Sequence, residues 1–142
     1  MNVLIAVDDT AESRHAVDTA YGFFGPDATY SVLSVGDRAP IFVGGYGAVA
    51  MPTAADMNMQ LEAAQAAAEH AATEAAERLP EVVDTDVETG APGATICEHA
   101  AEHDADVIVI GTHDRSFWDR LFDPSVGRYV IDHAPCPVLV VR

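Results

Sequence analysis

The last third of the chain, 105-ADVIVIGTHDRSFWDRLFDPSVGRYVIDHAPCPVLVVR-142, decides the fold. It reads as an apolar strand ending at Ile110, a glycine at 111, a polar loop, a helix over about Ser125 to His133, and a second apolar strand over Val138 to Val141. Ala134-Pro135-Cys136-Pro137 breaks the helix, since proline fixes φ and supplies no N–H. A buried strand that closes on glycine and gives way to a loop and a new helix start is where an open α/β sheet holds a ligand. This one stretch therefore points to both a sheet and a crevice.

Earlier segments repeat the pattern. Asn2 to Val7 (NVLIAV) is a short apolar run rich in β-branched residues, as expected of a strand buried on both faces. Thr10 or Asp9 then stands where a helix needs an N-cap, and Ala16, Val17, Ala20, Phe23 and Phe24 mark one side of a helix over Ala11 to Phe24. Gly25-Pro26 stops it. Ala28 to Val35 is the second strand. Residues 36–55 carry GGYG at 44–47 and prolines at 40 and 52, and read as a long surface connection. Their glycines follow no strand-to-helix turn, and no lysine is available for a P-loop.

The spacing predicts a long helix over Asp56 to Leu79. Met57, Leu61, Ala64, Ala68, Ala71, Ala75 and Leu79 form a narrow stripe that would pack on the sheet. Glu81 to Glu88 is the third strand and GAPG at 90–93 a turn, with Pro92 opening a helix to about His103. Asp106 to Ile110 is the fourth strand. The order βαβαβαβαβ, with a helix in each crossover, predicts an α/β fold: a parallel sheet covered on both faces. One domain over residues 1–142 is expected, long enough to bury roughly 70% of its unfolded surface.

Charge narrows the function. There are 23 acidic residues against 7 basic ones, a formal net charge of −16. All the basic residues are arginine. A field of this sign repels nucleic acid and anionic membranes, so neither is an expected partner. An acidic, lysine-free surface suits concentrated salt, where the Debye length falls to about 3 Å and self-repulsion is screened. A salt-rich cytosol, as in a halophilic archaeon, is the expectation. Met1 leads straight into a strand pattern with no basic n-region, and no apolar run nears the ~20 residues of a membrane span. A cytoplasmic protein is expected. Cys97 and Cys136, far apart in apolar surroundings, read as reduced thiols.

Few residues offer chemistry. His99-Ala-Ala-Glu102-His103 matches the H-x-x-E-H pattern of inverted zinc peptidases, but no third ligand follows, and EHAAEH reads as a solvated acidic face. No metal site and no catalytic residue is assigned. There is no G-x-S-x-G elbow. Asp8, closing the first strand, would face the crevice and could bond a ribose hydroxyl; capping the helix is the alternative.

Gly111-Thr112-His113, Arg115-Ser116, Ser125-Val126 and the ending from His133 to Arg142 closely resemble the C-terminal motif of the universal stress protein family. The strand ending in Asp8 and the Gly90-x-Pro92 turn resemble it too. The resemblance implies a five-stranded Rossmann-like sheet (flavodoxin-type layering) in the order 3-2-1-4-5, a regulatory, stress-adaptive role, and a homodimer paired through strand five (Val138, Leu139, Val140, Val141). A bare apolar edge strand would otherwise invite aggregation.

The family's nucleotide-binding branch carries G-x2-G-x9-G-[ST]. Here Gly111 matches the first glycine and Ser125 the last position, but Asp114 and Pro124 replace the other two glycines. Asp114 adds bulk and charge where a backbone should approach phosphate, and Pro124 removes an N–H donor. Each change should cost about 1–3 kcal/mol, together roughly 10²–10³ in affinity for a triphosphate. Against this, the Ser125 and Val126 N–H groups still open a helix, and His113, Arg115 and Arg120 could offset Asp114. The candidate nucleotide crevice is therefore Ala6, Asp8, Val35, Gly111, His113, Asp114, Arg115, Ser125 and Val126, with ATP or AMP as candidate ligands. The open readings are a stress protein with a degenerate ATP motif, a nucleotide-binding protein with slow ATP hydrolysis, and a dimeric interaction module without ligand. Phe117, Trp118, Leu121 and Phe122 would serve the last as a contact patch for a protein partner, plug the crevice, or simply pack in the core or dimer.

Overall fold

A computed structural model describes residues 1–37, 53–80, 82–111 and 124–142. In chain order it contains β1 (Asn2–Val7), α1 (Ala11–Phe24), β2 (Thr29–Asp37), α2 (Ala54–Arg78), β3 (Val82–Gly90), α3 (Pro92–Glu102), β4 (Val107–Gly111), α4 (Pro124–His133) and β5 (Val138–Val141). All neighbouring strands pair in parallel, in the order β3-β2-β1-β4-β5. This is the α/β Rossmann-like arrangement expected from the sequence.

Strand alternation divides the interior into two layers. Val3, Ile5 and Val7 of β1 pack with Ala16, Val17 and Ala20 of α1 and Ala71, Ala72 and Ala75 of α2. Leu4 and, from β4, Ile108 and Ile110 pack on the other face with Ile96 and Ala100 of α3 and Val130 of α4. The chain thus winds outward from β1 on one face and from β4 on the other. The two directions part between β1 and β4, the topological switch point.

Local chemistry sets the ends. Thr10 caps α1, its hydroxyl accepting the Ser13 N–H at 3.2 Å. Gly25 ends the helix at φ 72°, a conformation glycine adopts without a Cβ penalty. The buried Tyr30 hydroxyl donates to the Gly25 carbonyl at 2.7 Å. Thr53 and Asp56 form a capping box at the start of α2.

Two expectations change here. Met57 and Leu61, predicted in the packing stripe of α2, are 57% and 40% exposed. Only Ala68, Ala71, Ala72, Ala75 and, just past the helix, Leu79 are buried, because the helix outruns the sheet it covers. The Ala64 carbonyl lies beside Gly36, one residue short of the end of β2, so the helix before it runs past that strand. Strand three also continues to Gly90, through the start of the predicted GAPG turn.

A candidate nucleotide cleft at the switch point

Register brings three strand ends level: Ala6 pairs with Leu33 on one side and with Ile110 on the other. With Val35 beyond Leu33, they floor a small cleft that opens to solvent. Ile96 of α3 and Val126, Gly127 and Val130 of α4 form its walls, and Val7 and Gly111 complete it. The walls are set by a close helix contact: a Cβ on Gly93 would stand 3.0 Å from the Tyr129 side chain. Residue 93 must be small for α3 and α4 to approach this closely.

Of the residues expected in the crevice, Ala6, Val35, Gly111 and Val126 line this cleft. Ser125 lies in the first turn of α4, which begins one residue earlier than predicted, on Pro124. Proline suits that first position, where its missing N–H has no intrahelical use. The following N–H groups of Ser125 and Val126 also lack acceptors within the helix. His113, Asp114 and Arg115, with the aromatic loop around Trp118 and the GGYG segment, lie outside the described residues.

Asp8 closes the turn between β1 and α1. Its Oδ1 accepts from the Thr10 and Ser13 hydroxyls, each at 2.5 Å, and its N–H donates to Ser13 Oγ at 3.0 Å. Asp8 thus braces the Thr10 cap and does not cap the helix itself, and Val7, not Asp8, lines the cleft. The Val7 carbonyl in turn accepts from the buried Ser34 hydroxyl at 3.1 Å, tying the ends of β1 and β2 together.

Gly111 has a packing reason of its own. A Cβ there would stand 2.7 Å from the Glu12 carbonyl oxygen and 2.9 Å from its carbon, both backbone atoms of the first turn of α1. The glycine lets β4 end directly against that turn.

Among the described residues, no lining side chain is ionisable. Such a cleft can sandwich a flat apolar ring between aliphatic walls and present helix-start N–H groups to an anion. Leu33, Ile96, Ile110 and Val130 were not picked out from sequence; apolar residues carry no chemical signature, and only their place at strand ends and on the facing helices could have marked them.

The H-x-x-E-H segment corrects the sequence reading. His99 is only 3% exposed, not solvated. Its Nδ1 lies 2.8 Å from Glu88 Oε1 and its Nε2 3.6 Å from Asp86 Oδ2, both on β3. The partners sit on a neighbouring strand, so the helix alone could not reveal them. Cys97 is a buried free thiol and Cys136 a half-buried one. Burial pushes both thiols up from their ordinary value.

The sequence model of the Universal stress protein family matches residues 1–142. Universal stress protein Slr1101 of Synechocystis is 42% identical over 52 residues, which is 37% of this chain and 48% of that one. The chain spans half or less of the length of such curated relatives. Among solved structures, universal stress protein UspA from Lactobacillus plantarum superposes with a TM-score of 0.72 at 27% identity, covering 100% of this chain and 97% of that one. Two more share the fold: a family protein from Arabidopsis thaliana with AMP bound (TM-score 0.64, 18% identity, 99% and 90% covered) and a universal stress protein in complex with cAMP (TM-score 0.60, 22% identity, 100% and 96% covered). A family match over the full chain, joined to the sheet order and the closing strand motif, establishes that the chain belongs to the universal stress protein family.

Proposed function

We propose that this chain is a regulatory, stress-adaptive universal stress protein whose cleft takes an adenine nucleoside or monophosphate and has lost tight hold of ATP. One observation carries the reading: the aliphatic cleft at the β1/β4 switch point is intact, while the phosphate motif beside it has Asp114 and Pro124 in place of two glycines. The ring site and the triphosphate site are separable in this way, because apolar walls hold a base and backbone N–H groups hold phosphates. The AMP and cAMP complexes of proteins with this fold support a nucleoside-sized ligand.

The acidic, lysine-free composition supports work in a salt-rich cytoplasm, as in a halophilic archaeon. No described helix is long and apolar enough to cross a membrane. β5 is the outermost strand, and pairing with its copy through Val138, Leu139, Val140 and Val141 gives the expected homodimer. Sedimentation at micromolar concentration in molar KCl tests this; a monomer refutes it.

Calorimetric titration of ATP, AMP and cAMP in molar KCl, with Trp118 fluorescence alongside, tests the ligand. AMP is expected to bind at least as tightly as ATP, and ATP to produce no response below about millimolar, given the roughly 10²–10³ loss estimated for the altered motif. A micromolar ATP response overturns the reading in favour of an ATP-binding protein. Silence from all three nucleotides overturns it in favour of an interaction module.

A further inference from the structure

His99 of α3 and His103, which caps the helix C-terminus, stand away from the nucleotide cleft, and neither lines it. They meet the edge strand β3 instead. One ring nitrogen from each of His99 and His103 and one carboxylate oxygen of Asp86 all lie within 4.8 Å of one another. The imidazole rings stack with centroids 4.0 Å apart and 20° between planes.

Hydrogen bonding fixes the tautomers. His99 Nδ1 faces the Glu88 carboxylate at 2.8 Å, and His103 Nδ1 faces the His99 carbonyl at 3.0 Å. An ionised carboxylate and a carbonyl only accept, so both Nδ1 atoms carry protons. In its neutral form each ring then has its lone pair on Nε2. His99 Nε2 points towards Asp86 Oδ2, a second electron-pair donor, at 3.6 Å. That is too long for a hydrogen bond. It is near the roughly 3.3 Å that separates two ligands in a tetrahedral site with bonds of about 2.0–2.1 Å.

A cation held among these three donors would be bound by all of them at once. We infer that Asp86, His99 and His103 form a divalent transition-metal site of the zinc type, with Glu88 orienting His99 from behind. Two imidazoles and a carboxylate suit Zn²⁺ and leave a fourth position for water. Glu88 takes the outer-shell place of a carboxylate–histidine–zinc triad. Helical spacing of i and i+4 puts both rings on one face, and β3 supplies the third ligand that H-x-x-E-H lacks in sequence. His99 is buried, while Asp86 and His103 remain accessible for the ion to enter. The other convergent group, Asp9, His70 and Glu74, differs: the Arg14 guanidinium already lies 2.8 Å from Asp9 and 2.7 Å from Glu74.

The test is titration of the metal-free full chain in molar KCl with Zn²⁺, and with Co²⁺ as an optical reporter. One ion per chain is expected, with the intense visible absorption of tetrahedral Co²⁺. Asp86→Asn and His103→Ala alter accessible side chains and should each weaken Zn²⁺ at least about tenfold, and Glu88→Gln by about 10–100-fold. His70→Ala should leave affinity unchanged. No saturable binding, a weak octahedral Co²⁺ spectrum, or wild-type affinity in both Asp86→Asn and His103→Ala overturns the site. So does a near-ultraviolet thiolate band, which would move ligation to Cys97 or Cys136, or a loss that follows His70→Ala.

Discussion

Replacing Gly111 by alanine asks whether this glycine serves the ligand alone or first serves the fold. The added methyl would meet the Glu12 carbonyl oxygen at 2.7 Å and the Ser13 nitrogen at 3.2 Å. These are backbone atoms, so no side chain can swing aside. The start of α1 must retreat from β4 by about 0.7 Å to regain ordinary contact. Ala16, Val17 and Ala20 on that helix are fully buried, so the shift strains a packed layer. Overpacking of this kind costs about 1–3 kcal/mol. For a chain of this size the melting temperature should fall by about 3–10 °C. Urea unfolding in molar KCl reads the loss directly, with an unchanged m-value if the variant remains two-state. Gly22→Ala is the control. Nothing lies within 4 Å of a Cβ there, and the helical residue should stabilise the protein by about 0.5–1 kcal/mol. A Gly111→Ala protein as stable as the wild type refutes the packing argument and leaves the glycine to the ligand.

Other perturbations test the surroundings. Ser13→Ala removes an acceptor for the Asp8 N–H and a donor to its carboxylate; unfolding in urea should show a loss of about 1–3 kcal/mol, and none would mean that water replaces both bonds. The hydrogen bond from Arg14, then its charge and that of Arg78, holds the Glu74 carboxyl below its ordinary value of 4.5. A depressed folded value means that this contribution is present above the unfolded pKa and is lost as pH falls through the folded one. Arg14→Gln should therefore flatten stability against pH below about 4.5, the ordinary value, in urea titrations at low salt; superimposable curves would count against the pair. Because burial raises the Cys97 thiol, a disulfide reagent near pH 8 should modify it far more slowly in the native protein than in urea, and equal rates would exclude the buried placement.

How much of this was legible in sequence depended on how local the determining physics was. The bounds of β1 and α1 could be read to the residue, since an apolar run, Thr10 as cap and Gly25 as stop act within a few positions. α2 was legible as a helix, but not in its burial. Its stripe continues through Leu61 and Met57 by periodicity, and only the length of the sheet beneath decides where packing ends. The cleft was legible through Ala6, Val35, Gly111 and Val126 because strand ends and helix starts have sequence signals. Its floor at Leu33 and its walls at Ile96 and Val130 depend on register and on the approach of α3 to α4. His99 was misread for the same reason: an isolated EHAAEH looks polar all round, and the carboxylates of Asp86 and Glu88 reach it across a crossover.

The division of the interior into two layers has a consequence for how such a protein can change. Apart from Val7 and Gly111, the cleft draws its lining from the α3/α4 side of the sheet. The α1/α2 side carries the alanine-rich packing that holds the sheet together. The sheet acts as a bulkhead between a compartment that carries the cleft and one that bears load. Substitutions at Ile96, Val126 or Val130 can therefore reshape the cleft without reopening the other compartment. Insertions on α2 can acquire new attachments without disturbing the cleft. A small domain partitioned in this way can diversify its cleft while keeping one chassis.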